Sequence, residues 1–141
     1  MTQRRVLLRP EVPGDLHSIA EYLETYSVEA ADRFVEAETW IRDFLRLTPD
    51  DVFAETQLTT ALLYQKKFSD VLTLAGKILA KSPEDFVTHL NCGVVYFENR
   101  DWQNASRHLR AARDARPENL FVREALQKVD AELKTAVEKS K

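Results

Sequence analysis

The sequence predicts an all-α fold, a solenoid of antiparallel helix pairs closed by a C-terminal capping helix. Three observations predict it. Pro49, Pro83 and Pro117 recur at an interval of 34 residues, and each is followed by a similar run: Pro-Asp-Asp-Val-Phe, Pro-Glu-Asp-Phe-Val and Pro-Glu-Asn-Leu-Phe. The same interval separates Phe34, Phe68 and Trp102, then Ala37, Val71 and Ala105, and also Ile41, Ala75 and Leu109. Only three glycines and five prolines occur in 141 residues, too few for a turn-rich β fold.

At the N-terminus, Pro10 and Pro13-Gly14 break up residues 1–14, which are expected to be extended. Asp15 opens the first predicted helix, 15–26, with Leu16, Ile19, Tyr22 and Leu23 on its apolar side. A second runs over 28–47 and carries Phe34, Ala37, Ile41 and Phe44; together these two form a divergent hairpin, 15–47. Two full repeats follow, 51–82 and 84–116, with helices over 51–65, 69–82, 84–99 and 102–116. The prolines and their acids read as helix starts, since proline suits the first turn and acids favour the positive end of the helix dipole. The last helix, 118–138, places Val122, Leu126, Val129, Leu133 and Val137 on one side of an otherwise polar surface. That is the pattern of a cap. Seven helices are predicted in all, and residues 15–141 form a single domain.

The unit from Phe86 to Asn119 resembles the tetratricopeptide repeat: Gly93, Tyr96, Trp102, Ala105, Leu109, Ala112 and Pro117 stand at that family's offsets. The resemblance covers roughly residues 34–138. The unit from Val52 to Asp85 keeps Leu58, Phe68, Val71 and Pro83, but has Thr59 and Leu62 at the small and aromatic positions. The resemblance implies that the first helix of each pair lines a concave groove. Its groove positions fall on Phe53, Thr56, Thr60, Leu63 and Tyr64, then on Val87, Leu90, Val94, Phe97 and Glu98, with Asn91 beside them. Some members clamp a peptide's terminal carboxylate with basic and amide side chains. Here Asn91 is the one counterpart, and Thr60 and Val94 replace polar groups. The mostly apolar groove suits an amphipathic helix or an apolar segment.

Residues 6–49 are also similar to the start of ParE-type toxins: Val6-Leu7-Leu8 as a strand, an acidic-Leu helix from Asp15, and an Ala-x-x-Phe-like helix at Ala31-Asp32-Arg33-Phe34. That family continues into a β-sheet carrying its functional residues, and here the repeats stand in its place.

Chemistry has little to stand on. His17, His89 and His108 lie in distant segments, and no HExxH motif or Gly-rich phosphate loop is present. His89 and Cys92 share a helix side at three-residue spacing, yet those are core-packing positions of the repeat. Cys92 is the only cysteine, so no intrachain disulfide or CxxC pair can form. The expectation is therefore no enzyme, no cofactor and no metal. A net charge of -3 disfavours nucleic acid and anionic membrane as partners despite Arg4, Arg5 and Arg9. The apolar run Val6-Leu7-Leu8 is too short for a secretory leader, and a cytoplasmic location is expected. The expected function is a protein-interaction adaptor or small chaperone. A self-assembling module (a homo-oligomer) and a toxin-antitoxin-derived regulator working through the N-terminal hairpin are the alternatives.

Overall fold

The computed structural model describes residues 31–140, with side chains from residue 33. The extended segment 1–14, the helix 15–26, most of the toxin-like stretch and His17 lie outside the described residues. Among the described residues there are six helices and no strand: α1 (Ala31–Leu47), α2 (Val52–Tyr64), α3 (Phe68–Lys81), α4 (Phe86–Glu98), α5 (Trp102–Ala115) and α6 (Leu120–Lys139). Each begins and ends within three residues of its predicted bounds.

The 34-residue interval is built into the backbone. Asp51, Asp85 and Asn119 cap α2, α4 and α6, their side-chain oxygens accepting from the N–H of Ala54, Thr88 and Val122 at 2.8, 2.9 and 3.0 Å. The turns before them match as well: the N–H of Asp51, Asp85 and Asn119 donates to the carbonyl of Thr48, Ser82 and Arg116. This corrects one expectation. The prolines sit in the turn, two residues before the cap, where the helix behind them has already stopped. The helix start is made by the capping Asp or Asn.

Within each pair the turn is also repeated. Lys66 and Arg100, 34 residues apart, adopt left-handed φ of 60° and 58°. Lys67 and Asp101 then donate back to the carbonyls of Leu62 and Tyr96 at 3.0 and 2.9 Å, a six-to-one closure that satisfies the helix end.

Consecutive helices pack on one another, and α2 also packs on α4. They run antiparallel. Phe34 near the start of α1 stacks on Tyr64 at the end of α2, with ring centroids 4.7 Å apart. Lys81 at the end of α3 reaches Glu55 near the start of α2. The core is largely aliphatic, with Phe34, Tyr64, Phe86 and Phe121 among its members, and runs from Phe34 and Ile41 through Leu58, Leu62 and Val71 to Val95, Leu109, Val122 and Val129. Each fully buried side chain of this size contributes about 1.5–3 kcal/mol. At the α4–α5 contact, Gly93 admits Leu109, and Ala105 is fully buried.

The C-terminal helix follows its predicted pattern for most of its length. Val122, Leu126 and Val129 are buried and Leu133 half-buried, but Val137 is exposed, because α6 outruns the helix it covers. On α1, Phe44 departs from its expected core position: it is exposed, as are Trp40 and Leu47.

Candidate functional site

Helices α2 and α4 differ from α6 in how far burial extends around them. On α6 the buried positions form one stripe. On α2 they run from Ala54 to Tyr64 with only Gln57 interrupting, and on α4 from Thr88 to Val95 without a break. Eight consecutive residues go fully around a helix of 3.6 residues per turn. Neither helix has a polar, solvated side in that stretch.

The residues expected to line the groove differ in their exposure. Of the expected lining, Phe53 is exposed (64%) and Val87, Phe97 and Glu98 are half-buried. Thr56, Thr60, Leu63, Tyr64, Leu90, Asn91 and Val94 are all buried. The exposed and half-buried members lie at the ends of the two helices, and the buried ones along their middle, except Tyr64, which is buried at the end of α2. No helical-wheel argument could foresee this, because a wheel shows direction and not what stands in front of it.

Thr56, Thr60 and Asn91 are spent inside the fold. Asn91 Nδ2 donates to Thr59 Oγ1 at 3.3 Å and Thr60 Oγ1 at 3.2 Å, tying α4 to α2. Thr56 Oγ1 donates to the Val52 carbonyl at 2.8 Å, one turn back. Asn91 is therefore not poised to hold a peptide carboxylate. Tyr64 gives its ring face to Phe34, and Phe97 meets Trp102 edge-on at 5.2 Å.

Across α4 from this face, the structure assembles a cluster that the sequence did not reveal. His89 Nε2 lies 2.7 Å from the Pro83 carbonyl, which can only accept, so that nitrogen carries the proton. His89 Nδ1 lies 3.1 Å from His108 Nδ1. Tyr96 stacks on His108. Burial, with the neighbouring His89 and Arg107, holds His108 down at about 4. Sequence spacing paired His89 with Cys92 instead. The two share the helix, but His89 turns to α5, while Cys92 is buried and its thiol is pushed up to about 12 by that burial, against the pull of Arg107. A thiol in that range is not a thiolate nucleophile near neutrality.

A buried carboxylate was missed as well. Glu55 is buried beneath α3, with Lys81 Nζ donating to Oε1 at 2.8 Å and Lys77 Nζ 3.1 Å from Oε2. The hydrogen bond to Glu55 raises Lys81, and Asp50 adds to it. The signal was present but unread: Glu55 stands one turn after the cap among apolar neighbours, and Lys77 and Lys81 lie four apart on the next helix. Among the described residues, no three His, Cys, Asp or Glu side chains converge as metal ligands would. Nor is any helix there long and apolar enough to cross a membrane.

Set against known proteins, the chain matches no family model, no curated protein and no solved structure.

Proposed function

We propose that this chain is a tetratricopeptide-like protein-binding module, an adaptor or small chaperone. Its concave face, made by α2 and α4, would hold an apolar or amphipathic segment of another polypeptide inside the cell. The observation that carries this reading is the middle of those helices. Leu63, Leu90 and Val94 occupy the groove positions of the repeat, where a helix facing only water would be polar. Exposed Phe53 extends the apolar character to the rim. Such a face recognises shape and apolar area and not charge, which is the helix-in-groove mode.

The test is fluorescence anisotropy of labelled amphipathic helical peptides titrated with the protein, beside scrambled peptides of equal composition that have no apolar side. Saturable binding of the amphipathic set alone, weakened by Phe53→Glu, supports the reading. Absence of saturable binding across the set removes it. A second reading, self-assembly, is favoured by the exposed Phe44 and Leu47 on one side of α1. Sedimentation across concentration separates the two, since a strict monomer leaves no room for assembly.

A further inference from the structure

His89 and His108 bring two imidazole rings together where α4 packs on α5, and the binding face proposed above makes no use of them. Their Nδ1 atoms lie 3.1 Å apart and their ring centroids 5.3 Å apart. Both rings are braced. His89 gives its Nε2 proton to the Pro83 carbonyl at 2.7 Å, so the lone pair of the neutral ring sits on Nδ1. A ring nitrogen tied to a carbonyl is what holds a metal-ligating histidine in place, since it sets both the tautomer and the tilt of the ring. His108 is steadied by Tyr96, stacked on it at 5.5 Å between centroids.

We infer that the pair is a two-histidine site for a divalent late transition-metal ion of the copper or nickel type, entered from solvent beside the half-buried His108. The separation carries the argument. Metal–imidazole bonds are about 2.0–2.1 Å long, so two nitrogens 3.1 Å apart meet at one ion at an angle of about 100°. That is close to the right angle between neighbouring ligands in a square-planar or tetragonal shell. Without the ion, the same distance serves a hydrogen bond between the rings. Binding the ion then needs His108 to carry its proton on Nε2, a change of tautomer and not of fold.

The protonation state suits this chemistry. Burial, with His89 and Arg107, holds His108 down at about 4, and the neutral ring is the form that ligates. Among the described residues no third His, Cys, Asp or Glu side chain joins the pair, so water completes the shell. Nitrogen donors favour Cu2+ over the other divalent first-row ions, which makes Cu2+ the probe. Arg107 opposes a cation here, but it is exposed and its charge is screened by salt.

The experiment titrates the full chain with Cu2+ in a non-chelating buffer, by calorimetry and electron paramagnetic resonance. The protein should bind one ion, show nitrogen splitting from two imidazoles, and melt at a higher temperature with the ion than without it. His108→Gln and His89→Gln should each weaken binding by about tenfold or more and lose the two-nitrogen pattern. His17→Gln, which changes the third histidine, should bind as the parent does. No saturable binding, or equal affinity in His108→Gln, would overturn the inference. Should a variant fail to fold, the parent's spectrum decides: a bound ion without two imidazole nitrogens overturns it as well.

Discussion

Leu109 of α5 packs directly over the backbone of Gly93 in α4: a Cβ on Gly93 would lie 2.8 Å from Leu109 Cδ2 and 2.9 Å from its Cγ. The second distance matters most, because Cγ cannot swing aside without moving the whole side chain. Leu109 is itself buried and has nowhere to go. Gly93→Ala should therefore lower stability despite alanine's better helix propensity. Overpacking of this kind costs about 1–3 kcal/mol and the propensity gain returns about 1 kcal/mol, leaving a net loss on the order of 1 kcal/mol. Gly76 in α3 is the control, since its Cβ would meet nothing within 4 Å. Gly76→Ala should raise stability by about 0.5–1 kcal/mol. Chemical denaturation of the two variants checks the contrast; equal shifts of either sign would remove the close-contact account.

Lys66 and Arg100 offer the opposite case, a place where glycine is missing. Both hold left-handed φ with an L side chain, at a cost that glycine does not carry. Arg100→Gly should raise the melting temperature, by about 1 kcal/mol in stability at most, since glycine also loses more entropy on folding. Thermal unfolding monitored by circular dichroism decides the sign.

Much of this architecture was legible in the sequence, for a physical reason. A repeat multiplies every signal: the turn, the cap and the apolar core positions recur at 34 residues, so chance agreement is excluded at several positions together. Helix bounds, the core register of Val71, Ala105 and Leu109, and the stripe of α6 could all be read that way. The candidate site was legible only in direction. Position within the repeat said which side of α4 carries Leu90 and Val94, but burial there depends on what lies opposite, which no local pattern encodes. Glu55 and the His89–His108 pair were missed because their partners lie on other helices, 19 to 26 residues away.

The ion pair of Glu55 gives a third prediction. Its carboxylate is buried and each oxygen faces one lysine, so either lysine alone keeps it partly compensated. Lys77→Met or Lys81→Met alone should be mild. The double variant strands a buried charge and should be destabilised by more than the sum of the two. Adding Glu55→Leu to the double variant should recover much of the loss, because no charge is then left buried. A strictly additive pair of lysine effects would contradict this.

Stability should also fall in acid, in two windows of known sign. His108 is held down at about 4 by burial and by His89 and Arg107, below its ordinary 6.5. The unfolded chain therefore binds the proton first, and the stabilisation, complete above pH 6.5, is lost as pH falls towards 4. Screening of this half-exposed ring limits the effect to less than about 2 kcal/mol. At Glu38 burial alone would raise the carboxyl, but hydrogen bonds from Arg42, Gln65 and Lys67 outweigh it and bring it to about 2. Its stabilisation is present above 4.5 and disappears between 4.5 and 2. Urea midpoints measured against pH should show both windows. His108→Gln should flatten the upper one and leave the lower, and a variant that keeps the upper slope would dismiss the histidine.

The last prediction concerns α6, where one apolar spacing covers two different environments. Val129 is fully buried, whereas Val137, two turns on along the same predicted stripe, is 56% exposed. A hydrophobic pattern treats the two alike; packing does not. Val129→Ala removes buried methyl groups and leaves a void against α5, a loss of roughly 2 kcal/mol. Against a total on the order of 5–15 kcal/mol this is readily measured. Val137→Ala removes little buried area and replaces a β-branched residue with the best helix former, so its effect should stay within about 0.5 kcal/mol. Urea titration of both variants by tryptophan fluorescence is sufficient, because Trp102 on α5 belongs to the same core as Val129. Equal losses at the two positions would mean that the stripe stays covered to the end of the helix, by something other than α5.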